Sequence, residues 1–325
     1  MIISKTPFRA SFFGGGTDFP EFFEKKDSIV IGSAIDKYLF LFQNKFFSQL
    51  FNHNLRLFYK KNEFINNIKD IKHKVFREVL LHEKIFKDFE IHVSSELPSF
   101  VGLGSSSSFT VGLINLIKHY KGINLSKKQL AIQSVNIERY KLKENVGLQD
   151  QILAAYGGFN SIKFFENKFK VNPIEVNFSL KKFFNKIFLV YTGIQRTASN
   201  IEKKKFNSGY INNAHLNTIR DIAFEADNLF KKSKNDNFFG KLMHETWIAK
   251  KKIHKIVSNK KIDDLYQKAL DAGSSGGKLL GAGAGGFVLF FVEDNKREKF
   301  IKAFTNHPYI NIQIDFEGSK IIKLK

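Results

Sequence analysis

The chain has 325 residues, 43% of them hydrophobic, with a formal net charge of +21 and no cysteine. That length suits two domains with buried cores, and the missing thiols exclude a disulfide framework and thiolate metal or nucleophile chemistry. The opening MIISKTPFRA lacks a signal-peptide apolar stretch and no apolar run could span a bilayer, so we expect a soluble protein without a membrane partner, suited to a reducing cytoplasm.

In chain order, FRASFF alternates Phe8, Ala10 and Phe12 against Arg9 and Ser11 and reads as a strand. SIVIGSAID and KYLFLF follow as two further strands. Residues 64–82 show helical spacing, with Ile65, Ile68, Val75, Phe76, Val79 and Leu80 able to share a face. FEIHVSS returns to strand alternation. After the loop PSFVGLGSSSS, Phe109, Leu113, Leu116, Ile117 and Tyr120 mark an amphipathic helix that Gly122 should stop. Ser126 and Gln129 form a capping box for the next helix, which fades near KEN. GLQDQILAAYGGFN reads as loop, short helix and double-glycine turn, and SIKFF with KFKVNPIEV as a hairpin-like pair. KIFLVYTG is a strand, TASNIEKKKF opens a helix, and helices dominate to about Leu270. A glycine-rich loop then enters FVLFF, and a helix and the strand YINIQIDF close the chain. Strands and helices mix without a regular βαβ march, which predicts an α+β fold in two lobes, residues 1–182 and 183–325.

Four serines in front of a helix exceed what capping requires. The first turn of a helix leaves N–H groups unpaired at the positive end of its dipole, glycines let backbone approach a ligand, and serine hydroxyls can meet phosphate oxygens or a magnesium ion. The segment therefore reads as an anion cradle. It is not a Walker A loop, and no protein-kinase motif set is present. A formal G-x-G-x-x-G at Gly281, Gly283 and Gly286 precedes a strand instead of opening a helix, which argues against a nicotinamide dehydrogenase.

PSFVGLGSSSS closely resembles the second signature of the GHMP kinases (galacto-, homoserine, mevalonate and phosphomevalonate kinases). TPFRASFFGGGTDFPEFF resembles the family's first signature, GGKLLGAGAGGFVLF its third, and NVGLQDQILAAYGGFN the segment holding its catalytic aspartate. The Gly15-Gly16-Thr17-Asp18 run replaces the Glu-His of galactokinases, and with GLQDQ and TGIQRTASNI it looks most like the D-glycero-D-manno-heptose 7-phosphate kinase branch; fucokinases carry a similar pattern. The resemblance implies a ribosomal-protein-like N-terminal lobe, a ferredoxin-like C-terminal lobe and a cleft between them. It implies an ATP- and magnesium-dependent sugar kinase acting on the anomeric hydroxyl of a heptose 7-phosphate, as a monomer or homodimer.

By the same resemblance, Asp150 and Arg9 are catalytic, as proton acceptor or orienting group and as stabilising guanidinium. Pro98, Gly102, Leu103, Gly104, Ser105, Ser106, Ser107 and Ser108 would hold ATP, and Ser106 with Glu138 a magnesium ion. Gly15, Gly16, Thr17, Asp18 and Gly283 would meet the acceptor, with Arg196 and Lys278 as candidate clamps for its phosphate. A fucose- or galactose-type acceptor is the alternative within the family. From another class, the +21 charge and 37 phenylalanines suggest a basic nucleic-acid-binding protein, although the phenylalanines sit at core spacings and are not interleaved with lysines.

Overall fold

The computed structural model describes residues 1–175, 178–195, 201, 209, 214–232 and 236–323. Strand β1 (Ile2–Phe13) pairs antiparallel with β2 (Ser28–Lys45), and the short helix α1 (Pro20–Phe23) lies between them in sequence. β2 is one strand where the sequence suggested two. Asp36 and Lys37 sit in a bulge that shifts the register from Pro7↔Tyr38 to Phe8↔Ile35, so the polar break is a bend within a strand.

The chain continues through β3 (Leu55–Phe58), β4 (Asn62–Ile65), α2 (Lys74–His82) and β5 (Phe89–Ser95). The single helix expected over residues 64–82 is thus shortened. Ile65 belongs to a strand and Ile68 to a 3₁₀ turn capped by Asn67. Glu63, buried, accepts from the backbone N–H of Lys72 (2.7 Å) and His73 (3.3 Å), which delays the helix until His73 caps it.

Next come α3 (Ser105–Tyr120), α4 (Lys127–Val135), α5 (Gln149–Tyr156), β6 (Phe159–Phe165) and β7 (Lys168–Pro173). The Ser126–Gln129 capping box is formed. Gly122, at φ +76°, ends α3, with the Ile123 N–H returning to Lys118 O at 2.8 Å. Past α4 the chain makes one π-helical segment, Asn136–Lys141, that carries Glu138. Glu166 and Asn167, both at positive φ, close the β6–β7 hairpin.

The remainder is α6 (Phe178–Asn185), β8 (Ile187–Tyr191), α7 (Ala214–Lys232), α8 (Asn237–Ile253), α9 (Lys260–Asp271), β9 (Ser274–Leu279), β10 (Phe287–Val292), α10 (Arg297–Ala303), β11 (Tyr309–Asn311) and β12 (Lys320–Lys323). The helix expected to open at TASNIEKKKF lies, apart from Ile201, outside the described residues. YINIQIDF is not the last strand. Residues 309–311 pair with β8 as β11, Ile314 then bridges to Ile35 on β2, and Asp315, accepting from the N–H groups of Glu317 and Gly318, turns the chain into β12.

The first sheet has the order β12-β1-β2-β5-β3-β4, with β6 and β7 branching from the first half of β2. The second, β11-β8-β10-β9, is wholly antiparallel. α6 runs across residues 182 and 183, and β12 carries the chain's end back to the first sheet. Where the two sheets meet, Phe12, Phe159, Phe183, Phe184, Phe239 and Phe291 form one buried aromatic cluster. Phe183 and Phe239 meet edge-on with centroids 4.4 Å apart. These six rings are core rings and offer no stacking surface to a nucleic acid.

Candidate active site

A cleft of about 440 Å³ is lined by residues from β1, the loop before α3, the π-helical segment, α5, α8 and the loop after β9. The serine loop forms one wall. Gly102 and Gly104 take φ of +85° and +75°, and Gly104 is the N-cap of α3 with no side-chain cap of its own. The N-terminal N–H groups of α3 are therefore presented to the cleft, with Ser105, Ser106 and Ser107 lining it.

The eight residues expected to hold ATP divide. Leu103 is buried in the core and its carbonyl accepts from the Arg9 N–H at 3.1 Å, anchoring the loop. Ser108 is fully buried and its hydroxyl donates to Pro7 O at 2.9 Å, so it ties helix to strand and stays out of the cleft. Pro98 is exposed and is not among the cleft-lining residues. Gly102, Gly104 and the three leading serines remain on the wall.

Opposite them, Asp150 stands in the first turn of α5. Its two carboxylate oxygens accept from Arg9 Nε (2.7 Å) and Nη2 (2.6 Å), while Arg9 Nη1 donates to Gly102 O at 2.7 Å. One buried guanidinium thus bridges the expected catalytic aspartate and the glycine loop. Gly104 makes room for it, since a Cβ there would lie 3.0 Å from Arg9 Cγ. Asp150 does not cap α5. That role falls to Asp18, whose Oδ2 accepts from the Gln149 N–H at 3.1 Å and whose Oδ1 accepts from Gly16 N and Gln149 Nε2, both at 3.0 Å. Gly147 permits the approach, because a Cβ would fall 2.0 Å from Asp18 Oδ2.

Burial pushes the Asp18 carboxyl up to about 6, against the N–H donated by Gln149 and with help from the nearby Asp150 charge. Burial likewise pulls the Lys278 ammonium down to about 7, helped by Arg9 and opposed by Asp18.

Of the residues expected to meet the acceptor, Gly15, Gly16, Asp18 and Lys278 line the cleft. Thr17 does not. Its hydroxyl donates to Gly14 O at 2.7 Å and it is fully buried, so it closes the glycine turn. Gly283 is also absent from the wall: its φ is +114° and a Cβ would lie 2.9 Å from Val257 Cα, so it serves loop packing while Gly281 and Ala282 face the cleft. Arg196 lies outside the described residues.

Glu138 is buried under the serine loop and lines the cleft beside Ser106, but its hydrogen bond comes from Ser107, whose hydroxyl donates to Oε2 at 2.9 Å. Gln151 Nε2 donates to the same oxygen. Glu138 Oε1 has no hydrogen-bond partner among the described residues. One orphaned hard oxygen beside serine hydroxyls fits a magnesium ion that keeps most of its waters and binds phosphate. No cluster of three or more His, Asp or Glu side chains that could hold a metal ion occurs among the described residues.

Burial raises the Glu138 carboxyl to about 7, with the Glu144 charge adding to it and the hydrogen bonds from Ser107 and Gln151 opposing it. Between the usual carboxylate range and pH 7 the native state holds the extra proton, so this group lowers stability as pH rises through that window. We expect Glu138→Gln to gain up to about 3 kcal/mol at pH 8 and little at pH 5, read as a pH-dependent Tm difference. A Tm gain that is equal at both pH values would contradict the assignment.

Sequence reasoning missed Ser11, Gln149 and Lys250. Ser11 follows Arg9 by two residues on β1 and so shares its face, a signal the strand alternation already carried. Lys250 donates to Leu279 O (2.9 Å) and Gly281 O (2.6 Å), fixing the glycine loop from α8, and no sequence spacing points to it.

The model of the GHMP kinases N terminal domain matches residues 66–158 and that of the GHMP kinases C terminal region matches residues 230–311. The chain is 32% identical over 319 residues to the D-glycero-alpha-D-manno-heptose 7-phosphate kinase of Campylobacter jejuni, covering 93% of this chain and 92% of that protein. The chain is a GHMP kinase. It is 30% identical over 222 residues to the mevalonate kinase of Methanocaldococcus jannaschii, about two thirds of each chain (66% and 65%). Among solved structures, a D-glycero-D-manno-heptose 1-phosphate kinase from Bacteriodes thetaiotaomicron superposes with a TM-score of 0.79 over 100% of both chains at 20% identity. Lactococcus lactis galactokinase complexed with galactose gives 0.73 over 99% and 95% of the two chains at 18% identity. As a GHMP kinase the protein is an ATP-dependent phosphotransferase with an alcohol acceptor, and its relatives place it among the sugar kinases. No helix among the described residues is long and apolar enough to cross a membrane.

Proposed function

We propose that this kinase transfers the γ-phosphoryl group of ATP to the anomeric hydroxyl of D-glycero-D-manno-heptose 7-phosphate, giving the 1,7-bisphosphate and ADP. The observation that carries the chemistry is Asp150, clamped through both oxygens by Arg9 and facing the N-terminus of α3 across the cleft. The triphosphate lies on the N–H groups of α3 and the hydroxyls of Ser105, Ser106 and Ser107. Each Asp150 oxygen keeps a lone pair for the acceptor. The hydroxyl gives its proton to Asp150, its oxygen forms the new bond to the γ-phosphorus, and the bond to the β-phosphate oxygen breaks. Arg9 holds Asp150 in line and faces the negative charge of the transferring group. Glu138, with Ser106 or Ser107, would hold a magnesium ion, which supplies charge neutralisation of the triphosphate.

The acceptor assignment rests on the likeness to the Campylobacter jejuni enzyme across nearly the whole chain. It is tested by ADP release over a panel of sugars and sugar phosphates, with ³¹P NMR of the product. We expect heptose 7-phosphate to be preferred by at least about 100-fold in kcat/KM and to yield a new anomeric phosphate resonance. Turnover of heptose 1-phosphate, fucose or galactose with silence on the 7-phosphate would move the assignment to that sugar.

A further inference from the structure

Residues 142–148, between the π-helical segment and α5, form neither helix nor strand, yet they carry part of the cleft wall. Glu144, Val146 and Gly147 line it, and the stretch runs directly into Gln149 and Asp150. It is laid against Asp18: Leu148 N donates to Asp18 O and Gln149 N to Asp18 Oδ2, each at 3.1 Å. A stretch with no ladder of its own and a glycine at 147 takes its position from its neighbours. Arg139 is one of them. It follows Glu138 in the π-helical segment, its Nη1 donates to Val146 O, and its Nη2 donates to Glu21 Oε1 at 2.5 Å. Glu21 lies in α1 just beyond Asp18, and Val146 just ahead of Gln149, so one guanidinium spans both flanks of the Asp18–Gln149 contact.

The Arg139 side chain is 11% exposed and its Nε has no hydrogen-bond partner among the described residues, while the Glu21 side chain it meets is 44% exposed. Taking a charge out of water for one carbonyl and one exposed carboxylate adds little to stability. What it adds is direction, because a planar fork fixes two partners at once. We propose that Arg139 is a positioning residue for the acceptor side of the cleft. Through Val146 O it holds the 146–149 stretch against Asp18, and so fixes the wall that Asp18, Gln149 and Asp150 present. Arg139 does not itself line the cleft. The inference rests on the reading in which this wall faces the acceptor, and not on the heptose.

Arg139→Leu is read with whichever sugar of the panel turns over fastest, so that failure of the heptose assignment leaves the test standing. We expect kcat/KM for the acceptor to fall about 10- to 100-fold, the effect of a displacement of about 1 Å at a reacting group. ATP KM and the magnesium concentration for half-maximal rate stay within about twofold of wild type, since α3 and Glu138 keep their own bonds. Arg139→Lys keeps the charge but not the fork, and its loss stays within about tenfold. Glu21→Gln keeps an oxygen on the exposed leg and changes the kinetics by less than about twofold. Gly122→Ala, outside the cleft lining, lowers Tm without moving any KM and so separates displacement from plain destabilisation. Acceptor kinetics in Arg139→Leu and Arg139→Lys no different from those of Gly122→Ala would overturn the proposal. So would an ATP KM or magnesium requirement that rises as far as the acceptor effect, because Arg139 would then act on the adjacent Glu138. If Asp150→Asn keeps a near-normal kcat while Arg139→Leu shows the acceptor loss, the chemistry proposed for Asp150 falls and the positioning role stands.

Discussion

Asp150→Asn is expected to lower kcat by about 10²–10⁴ while leaving nucleotide affinity within about twofold of wild type. Two effects add. The amide cannot take the proton of the attacking hydroxyl. It also presents one acceptor and one NH₂ group to a guanidinium that currently meets two acceptor oxygens, at 2.7 and 2.6 Å. Arg9 is buried and keeps only Gly102 O as an undisturbed partner, so it is left with an N–H facing an N–H. The proposed triphosphate wall is spared, because Ser105 to Ser107 hang on α3 and Leu103, not on Asp150. Steady-state kinetics separates the effect from a titration with a fluorescent nucleotide. Near-normal kcat would take Asp150 out of the chemistry, and lost nucleotide binding would mean that the Arg9 bridge shapes the ATP site and does not chiefly serve the acceptor.

The parts of this site that were legible in the sequence are those whose chemistry is local. The serine loop was readable because closely spaced glycines running into a serine-led helix specify their own geometry, and the Ser126–Gln129 capping box because its two side chains are local. The family resemblance then placed Arg9, Asp18 and Asp150, which the structure brings to one cleft from positions far apart in the chain. What failed depended on tertiary partners. Ser108 looked like its three neighbours, but helical rotation carries it to Pro7 on β1. Thr17 sat beside Asp18 in a polar run, yet its hydroxyl closes the turn on Gly14. Residues 64–82 kept a helical apolar period although Glu63 holds the backbone N–H groups of Lys72 and His73, a contact no periodicity reveals.

The site also shows where this chain gives up stability for function. Asp18, Glu138 and Lys278 are each buried, each shifted toward its neutral form, and each lines the same cleft. A core built for stability would not hold three such groups. Their shared displacement marks the cleft as a candidate functional site, in keeping with the phosphoryl transfer proposed there.

Gly286→Ala should damage both the fold and the neighbouring serine loop. Gly286 sits at φ +97°, and a Cβ would fall 2.2 Å from Val101 O and 3.2 Å from Gly102 N. The obstacle is backbone on both sides. Phe287 N donates to Val101 O at 3.0 Å, Gly286 N to Ile194 O at 2.9 Å, and Thr192 N to Gly286 O at 3.0 Å, so neither strand end can step back without losing bonds. The left-handed conformation costs about 1–3 kcal/mol for a residue with a side chain, and relieving the overlap about as much again. We expect a loss of about 3–5 kcal/mol and an ATP KM raised at least about tenfold, because the displaced segment is Val101–Gly102, the root of the proposed phosphate wall. Gly122→Ala supplies the control. Gly122 has a similar φ of +76° with nothing within 4 Å of its Cβ position, so it reports conformational strain alone, about 1 kcal/mol, with ATP KM unchanged. If denaturant unfolding gave the two variants equal losses, the contact between the C-terminal glycine loop and the serine loop would be a yielding one, and the rigid coupling of that loop to the ATP site would have to be abandoned.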